Sequence, residues 1–451
     1  MIKKVGRMAL LLLGSAVLGT LLLVLAFCLP VERMRENVAV SVDSMIKDPE
    51  EVADNAFAQY VWSEKETYTD AIMVQNAIER IPGKNVFEEA MWVYHTDLEE
   101  EVWTPEASLK AFLSEEGMEQ SYLHEYSRYW HGYLIYLKPL LLIFSWSQIV
   151  MLGIVLQVLL MGAVLFASIK RGTPGVGAAM LIGFLFMKPV LVLCSLTMSV
   201  CWIITLAVLL IMLLCHSKIE AGKRYPELFL LTGILTSYFD FLTYPVVTLG
   251  FPLCAYFLLA ERESIKKGLQ KVIGCSFCWG VGYVGMWALK WIIADVTLHT
   301  GTIKDAAWSI IGRTEAIGGR PRMNGGFYVI GLNLQEYKWM IYPAAAGLLL
   351  LVSLALFFLA ARKLSVRAAL EIVIPCVVIF CIPFAWIVVV QHHSALHARF
   401  TFRILSVAAV AVSCMGIKLF KSLRKSEKSL KNQVNVKSKC EKSQKYFIRP
   451  H

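Results

Sequence analysis

Ten apolar runs, near residues 7–29, 147–169, 175–195, 198–215, 226–241, 244–260, 271–294, 339–361, 369–390 and 400–419, set the first limit on what this chain can become. As a helix, about 20 apolar residues are long enough to cross the hydrocarbon of a bilayer. Hydrocarbon offers no partner to a bare amide or carbonyl, so such segments satisfy their backbone internally. The expected fold is therefore all-α: a polytopic transmembrane helical bundle of about ten helices. With 57% hydrophobic residues, the chain exceeds what a soluble core absorbs, and the lipid bilayer is its main partner. The stretch 175–215 is nearly continuous apolar sequence divided only at Lys188-Pro189, and one of its two spans also suits a re-entrant segment.

In a soluble protein a net charge of +10 would raise the question of nucleic acid. Here the basic residues sit in short clusters between apolar runs, which makes them topology signals and gives no nucleic-acid partner. Lys3, Lys4 and Arg7, Lys170-Arg171, Lys218 with Lys223-Arg224, Arg262 with Lys266-Lys267, Arg362-Lys363 and the Lys-rich tail fall on one side of a single threading. The positive-inside rule makes that side the cytoplasm, so both termini of a multi-pass cell-membrane protein are expected there. The segments are then an uncleaved signal-anchor helix 1–29, an outer domain with an interfacial segment 30–146, spans in 147–294, an outer Gly/Arg-rich loop 295–338, spans in 339–419, and a basic tail 420–451 expected to lack structure. None of the 11 cysteines falls in the outer domain, so no disulfide framework is implied, and Cys275 with Cys278 read as packing inside an apolar helix.

The outer domain is acidic while the rest is basic: Glu32 to Trp130 holds 22 of the 34 acidic residues against eight Lys and Arg. Apolar residues recur at three and four spacing through 69–78 and 107–113, which predicts short helices lying over the membrane face. Asp70 opens the first of these, where an acid can serve as base to an acceptor hydroxyl or as a helix cap. The run Asp97 to Glu101 suits either a divalent cation or a solvated face.

Polar residues at membrane depth carry the next signal, because burying a charge in lipid is costly. Lys188 precedes a proline between two apolar spans; Asp240 sits in an aromatic-rich turn, where a partner such as Lys188 or Arg403 is expected; Lys290 lies near the end of its helix, where it can snorkel. Ahead of the second span, Arg128, Trp130, His131 and Lys138 bring cationic, aromatic and imidazole groups to the outer interface, as a phosphate site or an aromatic-anchored interfacial helix would. Arg313, Arg320 and Arg322 stand among glycines in the outer loop, where they suit a phosphate or the acidic domain. Gln391 to Arg403 places His393, His397 and Arg403 at the mouth of the last span; no third ligand accompanies the two histidines, so substrate contact is expected and no metal.

This layout resembles the GT-C superfamily, polytopic glycosyltransferases that take sugar from a polyprenyl-phosphate carrier. The resemblance lies in a first helix followed at once by a long acid-bearing outer loop, basic groups at the outer rim, and a second outer loop. The blocks 68–73, 129–140, 240–245 and 393–403 are also similar to multi-pass membrane proteins of Gram-positive bacteria. The resemblance implies a lipid-linked sugar as donor, Asp70 as the base, and Arg128, Lys138, Arg320 and Arg403 on the carrier phosphate. GT-C enzymes typically carry the acid close to the end of the first helix, often as a pair; the pair is absent, and Asp43 is nearer that end than Asp70. The same cations also suit a transporter or flippase for a lipid-linked saccharide, in which Lys188 and Asp240 matter most, or a non-catalytic scaffold.

Overall fold

The computed structural model describes residues 2–46, 67–98, 104–115, 121–317, 321–338 and 341–447. Helices dominate it, as the apolar runs require. Seven are long and apolar enough to cross a membrane: Lys3–Phe27, Trp146–Lys170, Leu196–Ala221, Ile265–Leu298, Ile341–Lys363, Val366–Val389 and Ala398–Ser429. The chain is a multi-pass helical membrane protein.

The three remaining expected spans are present as shorter helices, Pro174–Phe186, Tyr225–Phe239 and Val247–Leu259. At 1.5 Å per residue they reach only about 20–22 Å, so their ends must find partners inside the protein. Beyond Phe186 the backbone turns through Lys188, with φ of 52°, into the six-residue helix Pro189–Cys194. Pro189 has no N–H to carry the ladder across this break. Trp146–Lys170 and Ile341–Lys363 present rows of exposed leucine and valine, as helices in contact with lipid do, whereas Val247 to Tyr256 are all buried.

Helices Tyr225–Phe239 and Ile265–Leu298 meet backbone to backbone. A Cβ at Gly233 would lie 2.1 Å from the carbonyl of Trp279, and one at Gly282 would lie 2.1 Å from that of Leu230. Small residues give membrane helices this close approach, which replaces the hydrophobic drive that lipid removes.

Ion pairs fasten one end of the bundle: Arg7 to Glu227, Lys271 to Glu220 at 3.2 Å and Glu263 at 3.0 Å, and Arg262 to Glu371 at 3.4 Å. The opposite end, the domain face, carries helices Glu32–Ala39, Tyr68–Ile78, Val86–Trp92, Pro105–Ser114 and Leu134–Leu141. Strands Tyr94–Leu98 and Ser121–Glu125 pair antiparallel there, with His95 opposite His124. The domain is otherwise helical, as expected, and this strand pair is its one non-helical element among the described residues. The Gly/Arg-rich loop also proves mostly helical, as Thr302–Thr314 and Arg322–Gln335, with Gly312, Gly325 and Gly326 inside helices. The tail differs as well: helix Ser406–Phe447 runs through it, in line with the helix propensity of its many lysines.

Gly282→Leu should drive the two backbones apart. Overpacking of this kind costs about 1–3 kcal/mol; the expected outcome is a lower melting temperature in detergent and a smaller monodisperse fraction. An unchanged melting curve would show that the two helices do not touch.

Candidate functional site at the domain face

Asp70, on the first turn of helix Tyr68–Ile78, is wholly buried. Its carboxylate accepts from Ser195 Oγ at 3.0 Å, the Leu196 and Thr197 amides at 2.9 Å each, and Thr197 Oγ1 at 2.8 Å. It therefore closes the N-terminus of Leu196–Ala221, a helix more than 100 residues away in sequence. Burial still pushes its pKa up to about 6 against the lowering effect of those bonds. The expected base is thus a cap, and it caps a distant helix rather than its own. Asp43 does not replace it: exposed in the turn Val42–Ser44, it pairs with Lys110 at 2.8 Å.

The cations divide in the same way. Lys138 is fully buried, donates to the Ala77 carbonyl at 2.6 Å, and lies 4.6 Å from the Phe27 ring; burial brings its pKa down to about 7. Lys290 does not snorkel but donates to the Met91 carbonyl. Arg403 is buried, gives Nη1 to the Arg399 carbonyl at 2.6 Å, and packs 4.5 Å from Phe402. Arg322 reaches the Val389 carbonyl at 3.2 Å. Each of these four ammonium and guanidinium groups donates to a protein carbonyl. Arg320 lies outside the described residues.

The expected pairing of Asp240 with Lys188 or Arg403 is not formed. Asp240 folds back on its own turn, accepting from the Thr243 amide at 3.1 Å and from the Thr243 hydroxyl. Lys188 faces Glu336 at 3.6 Å across the helix break. Trp130 is buried with Nε1 on the Met286 carbonyl at 2.7 Å.

What remains is a set of half-buried groups: Tyr126, Arg128, Phe241, Trp287, Arg313 and His397. Tyr129 stands among them, its ring 5.0 Å from Tyr126, 5.7 Å from Phe241 and 5.4 Å from Trp287. Arg128 is neutralised by Asp305 at 2.7 Å. Arg313 has no carboxylate partner among the described residues; it donates to the Tyr129 hydroxyl at 2.6 Å. The His393 and His397 rings lie 4.6 Å apart, tilted by 50°, and His393 Nε2 meets the Leu242 carbonyl at 3.0 Å. Burial first, then His397 and Arg313, push His393 down to about 3, so it is neutral. The structure thus brings the segment 126–131, the helix bearing Arg313, the histidine turn and the Asp240 turn to one end of the bundle.

Sequence reasoning passed over Asp305, Glu336, His95 and His124. The last two meet only through the pairing of strands Tyr94–Leu98 and Ser121–Glu125, which no local pattern in the sequence announces. Comparison of the chain with protein-family models, with curated proteins and with solved structures gives no match.

If Asp70 is a cap, its removal is a stability event. Asp70→Ala leaves buried donors bare at about 1–3 kcal/mol each, so melting should fall by roughly 5 °C or more, and less in Asp70→Asn, whose amide oxygen still accepts. Unaltered melting in both variants would free Asp70 for chemistry.

Proposed function

We propose that this chain is a GT-C-like membrane glycosyltransferase that takes a sugar from a polyprenyl-phosphate carrier and passes it to a cell-surface glycan or lipid. In this reading the domain face is the outer face of the cell membrane and both termini are cytoplasmic, as the distribution of basic clusters supports. The observation that carries the reading is Arg313. It is a half-buried guanidinium held by a tyrosine hydroxyl instead of a carboxylate, so its charge is left for an anion. A phosphate at the head of a lipid suits it, and the half-buried Tyr126, Phe241 and Trp287 rings around it are of the kind on which a sugar stacks. His397 stands beside them as a further polar contact.

Neither Asp70 nor Asp43 is free to deprotonate an acceptor in this arrangement, so the proposal rests on the donor end of the reaction. A hydrogen bond from a charged group is worth about 1.5–3 kcal/mol, so Arg313→Gln should weaken binding of a polyprenyl phosphate in detergent about 10- to 100-fold while leaving melting unchanged. Equal binding by the variant would remove the phosphate site.

One observation favours the flippase reading: the helix broken at Lys188-Pro189, with a buried lysine facing Glu336, is of the discontinuous kind that transporters place at their substrate. In proteoliposomes loaded with a lipid-linked saccharide, Lys188→Met abolishes movement of the head group if the chain transports. It leaves sugar transfer intact if the chain is a transferase.

A further inference from the structure

The hairpin of the loop domain gathers three ligating groups on one face. His95 and Asp97 are two residues apart on strand Tyr94–Leu98, and His124 lies directly opposite His95 on the partner strand. The other face is clamped: the Thr96 amide donates to Glu79 at 2.9 Å, and the Thr96 carbonyl accepts from Gln75 at 2.6 Å. With Thr96 fixed on both sides, His95 and Asp97 are aimed together at His124.

A chain of hydrogen bonds sets the tautomer of His95. The Tyr126 carbonyl can only accept, so His131 Nε2, 2.8 Å away, carries the proton. His131 is neutral, because burial pushes its pKa down to about 3, and its Nδ1 therefore accepts from the Tyr133 hydroxyl at 3.3 Å. The Tyr133 oxygen must then accept from Asn76 Nδ2 at 3.0 Å, which leaves Asn76 Oδ1 to accept from His95 Nδ1 at 3.1 Å. With Nδ1 taken up by Asn76, Nε2 is the nitrogen of His95 left to ligate, and it points at a carboxylate oxygen, Asp97 Oδ2, 3.5 Å away. His124 Nδ1 lies 3.6 Å from the same oxygen.

Both imidazole nitrogens face the same carboxylate oxygen, so an ion seated between the three groups would meet all of them. A proton on Nε2 would draw the pair to the 2.7–2.9 Å of a charged hydrogen bond, about 0.7 Å closer than the atoms lie. For a tetrahedral ion with bonds of about 2.0–2.1 Å, ligand atoms stand about 3.3 Å apart, close to the two separations found. All three ligand atoms lie within 4.8 Å of one another. Asp97 is 2% exposed, and its Oδ1 has no hydrogen-bond partner among the described residues, an orphan that a bound ion would balance.

We propose that His95, Asp97 and His124 form a zinc-class metal site on the loop domain. Two imidazole nitrogens and one carboxylate oxygen suit Zn²⁺, with Co²⁺ as its spectroscopic stand-in, and suit Ca²⁺ or Mg²⁺ poorly. His124 is half-buried, so a fourth position on its side is open to water. Asn76 orients the first ligand as a hydrogen-bonded partner behind a metal histidine does. The three ligands are distinct from the residues of the phosphate site at Arg313, and neither assignment depends on the other.

The test reads metal rather than activity. The full chain, purified in detergent with any affinity tag removed, is stripped with a chelator, incubated with Zn²⁺ and desalted; elemental analysis should return one zinc per chain. Co²⁺ should give the visible bands of a four-coordinate site. His95→Gln and His124→Gln should each lose the zinc. Tyr133→Phe, which breaks the relay while keeping the ring, should weaken zinc binding about 10- to 100-fold, as loss of an outer-shell partner does. A wild-type chain that retains no zinc overturns the proposal, as does full zinc retention in both histidine variants. Because His124 is half-buried, its variant should keep the wild-type melting curve of the metal-free chain and remains informative should His95→Gln fail to fold.

Discussion

A helix end leaves up to four backbone groups without an internal partner, and where water is excluded each must be met by something else. In this protein charged side chains from distant segments meet them. Asp70 closes the start of Leu196–Ala221. Arg80 reaches the Phe27 carbonyl at 2.6 Å, Arg35 that of Ile78 at 3.1 Å, and Lys138 that of Ala77; Lys290 reaches Met91, and Lys418 reaches Ala260 at 3.0 Å. The signs follow the helix dipole, an anion at a helix start and cations at helix ends. Each such bond also joins two elements, and those of Asp70, Arg80 and Lys290 seat the loop domain on the bundle.

This use of charge explains why residues that looked chemical in the sequence turn out to be mechanical. A lysine or aspartate at membrane depth must have a partner, and an ion pair, a ligand or a catalytic role are the partners that come first to mind. A bare carbonyl at the end of another helix serves equally well and leaves no mark in the sequence. Lys138 and Lys290 are of this kind, whereas Arg403 turns back on the Arg399 carbonyl four residues before it. Arg313 is distinguished by the opposite property, a charge set against a hydroxyl dipole, and that contrast singles it out from the other basic residues on the domain face.

The bilayer-length runs were legible because lipid imposes one backbone solution on them, and the break at Lys188-Pro189 was legible because proline cannot carry the helical ladder. Elements held by partners remote in sequence were not. Residues 94–98 are too short to announce a strand, and their partner 121–125 lies beyond an intervening helix, Pro105–Ser114, so neither periodicity nor turn chemistry joins them. The glycines of 312–326 suggested a flexible loop, yet Gly325 packs against Gln391 and Gly326 against Val388, where they serve close approach and not turning. The acidic excess suggested a solvated face or a surface for outer-loop arginines, whereas Glu79 and Glu89 are spent fixing Thr96 and Arg80.

The two sites of the domain face share one structural element. His131 holds a left-handed φ of 52°, a conformation that costs a non-glycine residue about 1–3 kcal/mol and persists only where its surroundings impose it. Its neighbours impose it from both sides: Trp130 is tied to the Met286 carbonyl and the Gly132 amide to the Tyr238 carbonyl at 2.9 Å, both on bundle helices. The strain aims the imidazole at the Tyr126 carbonyl, from which the direction of every later bond to His95 follows. The Tyr126 ring lies 5.0 Å from Tyr129 on one side and 5.6 Å from His124 on the other. A shift of this one residue therefore acts on the aromatic wall beside Arg313 and on the tautomer of His95 together, and the bundle, through its grip on residues 130 and 132, sets both.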